Sequence, residues 1–207
     1  MQGFFEARIP LKKGLKSPMI ALVIITHFGD HSFRIESGST AILFNPPNNR
    51  LKADLVVWSE AKDDDLKLAG REINFAGDYE AQGIEIRGWA SPEERKKNDP
   101  MVTSYMVSWE DIHLAFPGPI HEKPSEAALD AWEDVGVLFL PVGEKMGLSV
   151  EEAVKLIKSL NEPGYVIAYG PQVQEFSKKI GQSIEKMEKL VFKKKDIPTK
   201  TTFITFA

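Results

Sequence analysis

The spacing of apolar residues changes character near residue 125, and that change constrains the fold of this 207-residue chain more than any other feature. Upstream, short apolar runs alternate with polar residues and are separated by glycine, proline and acidic turns, the pattern of strands joined by tight connections. Residues 21–27 predict a strand, and 32–36 predict a second with Phe33 and Ile35 on one face. A turn at 36–39 leads to a third strand at 41–44, which Pro46 and Pro47 stop because proline cannot donate to a ladder. Residues 54–58 form a short apolar strand, and Ile84 and Ile86 alternate with Glu85 and Arg87. Tyr105, Val107 and Trp109, followed by Ile112, Leu114 and Phe116, predict a hairpin turning at Glu110 and Asp111.

Downstream, helical periods alternate with apolar strands. Residues 125–134 predict a helix with Ala128, Leu129 and Trp132 on one face, followed by a buried strand at 137–140 that ends at Pro141. Ser149 with Glu152 forms a capping box, and Val150, Ala153, Val154, Ile157 and Leu160 form an apolar stripe ending before Pro163 and Gly164. A strand at 165–169 precedes a helix marked by Val173, Phe176 and Ile180 and closed by Gly181. Two late strands lie near 189–193 and 201–206. This order implies an α/β or α+β sandwich in which helices cover sheets. Residues 1–18, with Gly3, Pro10, Gly14 and Pro18 and no clear period, read as an extension before a folded body at 19–207.

The chain has no cysteine and four histidines, which removes disulfides, thiolate nucleophiles and Cys-ligated metal sites. With 26 basic and 30 acidic residues its formal net charge is −4, so nucleic acid is not an expected partner. Eight lysines between 178 and 200 face only Glu185, Glu188 and Asp196. An anionic partner is one reading of that segment; the favoured one is protection of an exposed edge strand. The longest apolar run, 19–25, is far short of the roughly 20 residues of a membrane helix. Lys12, Lys13 and Lys16 precede it, but no small-residue cleavage pattern follows, so a cytoplasmic protein is expected. No Gly-x-Ser-x-Gly elbow, phosphate loop or dinucleotide fingerprint occurs.

Several segments, taken in order, resemble the metallo-β-lactamase fold, in particular its lactonase-like and metal-dependent hydrolase branch. Residues 29–38 read Gly-Asp-His-Ser-Phe-Arg-Ile-Glu-Ser-Gly, similar to the family's opening glycine, strand and turn. Residues 41–46 are similar to its apolar strand ending in Asp-Pro or Asn-Pro; residues 53–59, 77–84 and 137–143 follow in the family's order, the last leading to the Glu152-Ala153 helix. The resemblance covers about residues 20–207. It implies a four-layer αβ/βα sandwich with a groove at one edge of two sheets.

The family's chemistry is carried by a His-x-His-x-Asp-His loop, a later Gly-Asp and a late His, which hold one or two metal ions that activate water. At the matching positions this chain has Glu60, Lys62 and Asp65 in place of the three histidines, and only Asp64 agrees. Phe116 stands at the next ligand position, Gly118-Pro119 replaces Gly-Asp, and the late strand ends in Tyr169-Gly170. Phe116, Pro119 and Gly170 offer no side-chain ligand. Lys62 puts an ammonium where a cation sits, and two like charges about 4 Å apart repel by about 4 kcal/mol at an effective dielectric near 20. No cofactor, and in particular no zinc, is therefore expected.

The carboxylates Glu60, Asp63, Asp64 and Asp65 admit two readings, a weak site for a hard divalent cation or a solvated loop or helix start. A sharper expectation is that Lys62 stands in for the lost metal charge, paired with Glu60 or Asp64. None of the four histidines matches a family ligand position. His27 and His31 bracket the first turn and reach toward the groove, His113 faces solvent by strand parity, and His121 is the foremost groove candidate. The leading expectation is a pseudoenzyme, a non-catalytic binding or scaffold protein with a degenerate metal site that self-associates into a homo-oligomer. Its competitor is a divergent hydrolase of phosphoester or lactone-type substrates using a cation at Glu60, Asp64 and Asp65. A third option is anion binding through the lysine-rich segment.

Overall fold

The computed structural model describes residues 21–60, 68, 70–92, 101–145 and 147–207. Along the chain these form β1 (Val23–His27), β2 (Phe33–Ser37), β3 (Thr40–Phe44), β4 (Leu55–Val57), β5 (Arg71–Ile73), β6 (Gly77–Ala81), β7 (Ile84–Ala90), β8 (Thr103–Trp109) and β9 (Ile112–Phe116). Then come α1 (Glu126–Ala131), β10 (Val137–Pro141), α2 (Val150–Ser159), β11 (Tyr165–Tyr169), α3 (Val173–Ile180), β12 (Glu185–Met187), β13 (Lys189–Phe192) and β14 (Thr202–Phe206). The expected extension at 1–18 lies outside the described residues.

Two sheets result, one ordered β13-β1-β2-β3-β4-β5 and the other β12-β14-β11-β10-β9-β8-β7-β6. Period-two alternation explains how they stack. In the first sheet Ile25, Ile35, Ile42 and Leu55 are successive cross-strand partners, all buried and all facing the second sheet. From the other side come Val107, Leu114, Phe139, Ile167 and Ile204. The opposite face of the eight-stranded sheet, with Leu138, Leu140, Val166, Ala168 and Phe203, packs under the apolar faces of α1, α2 and α3. Strand β10 is buried on both faces, which is why its sequence is an unbroken apolar run. The class is the expected α/β sandwich. Among the described residues every α-helix packs on the eight-stranded sheet, so three of the four expected layers are described.

Three strands escape the sequence reading, and they share one property. β5 closes one edge of the six-stranded sheet, and β6 and β12 close the two edges of the eight-stranded sheet. Edge strands with mostly exposed side chains carry no apolar alternation to detect. Lys186 and Lys189 lie on the edge strands β12 and β13, where lysine discourages pairing with another chain.

The helices differ in detail from expectation. α1 ends at Ala131, and Trp132 at its C-cap is fully buried. Ser149 caps α2, its Oγ accepting from the Glu152 N–H at 3.2 Å, while the Glu152 carboxylate engages Lys155. The buried stripe of α2 runs through Val150, Ala153 and Leu156, with Val154 and Ile157 at its margin, so Leu156 replaces them at the centre. Gly181 closes α3 in the left-handed conformation, as its position predicts. Among the described residues no helix is long and apolar enough to cross a membrane.

Candidate functional site

The parallel pairs β3–β4 and β10–β11 end at a common edge of the sandwich, and the loops that leave those ends converge. Asp30 and His31 from the β1–β2 loop, Glu60 after β4, His121 after β9 and Lys145 after β10 line a groove of about 340 Å3. Asn45 couples these loops from behind. Its Nδ2 donates to Ser59 Oγ at 2.7 Å and to the His31 carbonyl at 3.3 Å, and its Oδ1 accepts from the Ser59 N–H at 2.8 Å. The Ser59 carbonyl in turn accepts from the Thr103 N–H at 2.8 Å. Asn45 does this from a left-handed backbone conformation (φ 41°), which asparagine tolerates better than most residues.

Behind the groove stands Tyr169, whose hydroxyl lies 3.0 Å from His31 Nδ1. His31 is only 8% exposed, and its ring meets Tyr169 edge-on with centroids 5.4 Å apart. Burial pushes the Tyr169 phenol well above its ordinary pKa and the negative charge of Glu60 adds to the shift, so the hydroxyl stays protonated. His27 stacks on Phe33 at 4.5 Å, and its Nε2–H donates to the Asp30 carbonyl at 2.9 Å. Desolvation lowers its pKa against the opposing pull of Asp30, which keeps the ring neutral. His121 donates from Nδ1 to the Gly147 carbonyl at 3.1 Å; a carbonyl can only accept, so the proton on that nitrogen is fixed. His113 is exposed on β9 as parity predicts, 3.0 Å from Ser108 Oγ through its Nδ1.

The expected site residues divide sharply. Glu60, His31 and His121 meet in the groove; His27 lies on the other side of Tyr169, in a separate cleft. Lys62, Asp63, Asp64 and Asp65 fall outside the described residues. Phe116 is 1% exposed, stacked on Phe44 at 4.4 Å and packed edge-on against Phe33 and Phe139, so it is part of the aromatic core. At Gly118 (φ 73°) an added Cβ would come within 2.8 Å of Ser59 Cβ, and at Gly170 (φ 109°) within 2.5 Å of the Val142 carbonyl oxygen. Of the described positions that the resemblance assigns to ligands, only Glu60 offers a side-chain donor atom. Among the described residues no three His, Cys, Asp or Glu side chains converge as a metal requires. The described residues therefore do not fit a zinc pair, which needs three or four ligands per ion.

Tyr169, Asn45, Ser59 and Lys145 carry the groove's architecture without having been singled out as site residues in the sequence. For two of them a signal exists: Asn45 precedes Pro46 where an apolar strand stops, and Ser59 follows the apolar run 55–58. Tyr169 and Lys145 have none, because only the fold brings them to His31.

Two stacked sheets, helices on the outer face of the eight-stranded one among the described residues, and a loop-lined groove at the sheet edge match the metallo-β-lactamase fold. Residues 24–169 match the family model described as a beta-lactamase superfamily domain, and the chain belongs to that superfamily. No curated protein matches it in sequence. Among solved structures, a Thermotoga maritima protein named by inference as a Zn-dependent hydrolase of the metallo-beta-lactamase superfamily is 22% identical. It aligns over 89% of this chain and 98% of its own, with a TM-score of 0.73. Igni18, a metallo hydrolase from Ignicoccus hospitalis, is 19% identical over 83% of this chain and 98% of its own, TM-score 0.61. A Parabacteroides distasonis protein, likewise named by inference as a metal-dependent hydrolase, is 14% identical over 77% and 89%, TM-score 0.60. At these identities the likeness is one of fold.

Proposed function

We propose that this protein is a non-catalytic member of its superfamily, a cytoplasmic binding or scaffold protein whose metal site is degenerate. The observation that supports this reading most directly is Phe116, which occupies a ligand position with a ring committed to the core between the sheets. The groove at the sheet edge is lined by His31, Glu60, His121 and Lys145, groups suited to holding a small polar molecule by hydrogen bonds and charge. Self-association into a homo-oligomer belongs to the same proposal.

Elemental analysis of protein purified without chelators, paired with a thermal scan over zinc, manganese, magnesium and calcium, tests it. The expected result is no stoichiometric metal and no ion-specific rise in Tm, because binding to the native state alone raises stability. Stoichiometric metal, with hydrolysis that a chelator abolishes and the ion restores, overturns it. That outcome would establish the second reading, a divergent hydrolase of phosphoester or lactone-type substrates with a cation at Glu60, Asp64 and Asp65. It draws support from the metal-dependent hydrolases among the structural neighbours and from the placement of Glu60 in the groove.

A further inference from the structure

Across Tyr169 from the groove, a second cleft of about 260 Å3 opens between the ends of β1 and β14, the edge strand β12 and the start of α3. Its polar lining comes from three elements: Lys186 on β12, Thr205 on β14 and Gln174 on α3. Lys186 and Thr205 are direct cross-strand partners, so their side chains rise from the same face of the sheet. Neither has a side-chain hydrogen bond or ion pair among the described residues. Phe206 and the ring of His27 line the cleft from the opposite, inter-sheet face of β14, so the cleft wraps the end of that strand, and the neutral state of His27 makes it a flat surface rather than a second cation.

The charge pattern differs from that of the first groove, where Asp30 and Glu60 face Lys145. No carboxylate lines the second cleft, so the field of Lys186 there is not cancelled by an acid in the lining. A lone ammonium beside hydroxyl and amide donors favours an oxyanion, and an aromatic wall favours a flat body. The volume falls below the roughly 300–1,000 Å3 of drug-sized sites and suits a ligand of one ring.

We propose that this cleft binds a small organic anion, its carboxylate or phosphate group held by Lys186, Thr205 and Gln174 on the helix face and its apolar body passing round the end of β14 to Phe206 and His27. The site is independent of the reading given to the first groove and needs no metal.

Calorimetric titration of the full chain with phenyl phosphate, benzoate and the neutral benzyl alcohol, followed also by the His27 ring resonances, tests it. Phenyl phosphate or benzoate binds and shifts the His27 signals, benzyl alcohol does not, and whichever anion binds assigns the headgroup. At a ligand concentration about ten times Kd the anion raises Tm by about 3–6 °C. Lys186→Met, on an exposed edge strand, leaves the fold intact and weakens the anion at least about tenfold, the loss of one charge-assisted contact. Thr205→Val weakens it less. Failure of both anions to bind, equal binding of benzyl alcohol, or undiminished affinity in Lys186→Met overturns the proposal. The metal scan proposed for the first groove has no bearing on these outcomes.

Discussion

The Nδ1 of His31 lies 3.0 Å from the hydroxyl of Tyr169, 138 positions further along the chain. This contact ties the β1–β2 loop of one sheet to the end of β11 in the other, across the edge where the groove opens. Tyr169→Phe removes the hydroxyl and little else. The expected loss is about 1–2 kcal/mol, the usual cost of deleting one partner of a buried hydrogen bond. Urea unfolding followed by tryptophan fluorescence measures it; a midpoint equal to the native one would show that the contact contributes nothing.

The same phenol sets the alkaline limit. Burial raises the pKa of both Tyr105 and Tyr169 in the folded chain, whereas unfolded tyrosines ionise near pH 10. Stability is therefore fully present below about pH 10 and falls as pH rises toward the folded values, by about 1.4 kcal/mol per pH unit for each phenol. Tyr165 is also raised but is partly exposed, and solvent screening makes its share smaller. Denaturant midpoints measured between pH 9 and 11 should drop about half as steeply in Tyr169→Phe as in the native chain, as linkage for one fewer buried phenol requires.

His27 acts at the other end of the scale. Its folded pKa is lowered, chiefly by desolvation, so its contribution to stability is present above about pH 6.5 and is lost as pH falls through the folded value. His27→Phe retains a ring against Phe33 and removes the titration. Comparing midpoints at neutral and mildly acid pH, the variant should lose less stability than the native chain.

Phe116 offers a direct test of whether the fold merely lacks donors. Phe116→His puts an imidazole at a position the resemblance assigns to a ligand, yet it breaks the stack on Phe44 and buries a polar ring. The variant should be destabilised, with Phe116→Ala setting the scale at about 3–5 kcal/mol. Zinc should leave its Tm unchanged. A zinc-dependent rise specific to Phe116→His would mean that the surrounding residues still form a receptive site.

The sequence announces what is buried and is silent about what is shared between distant segments. β2, β3, β9 and β10 are readable because each has at least one face wholly in a core, and alternation or an unbroken apolar run records that burial. β5, β6 and β12 are not, since an edge strand keeps most of its side chains in water. In the groove, Glu60 is legible from the position the resemblance gives it, and His31 and His121 from the loops that carry them. Tyr169 is not, because its role depends on facing His31, a relationship no local spacing encodes. Leu156 of α2 shows a smaller failure of the same kind: which residue of a helical stripe faces inward is settled by the sheet beneath it.

Gly118 and Gly170 have a consequence of their own. With Ser59 Cβ at 2.8 Å and the Val142 carbonyl at 2.5 Å from where a Cβ would sit, these positions have no room for a side chain until a neighbouring segment moves. Gly170 stands where the resemblance puts the late histidine, so a histidine introduced there would meet that obstruction before it met a metal. On the proposed reading of a degenerate metal site, a ligand supplied at position 170 alone leads to a less stable protein, because the backbone around Val142 must shift first.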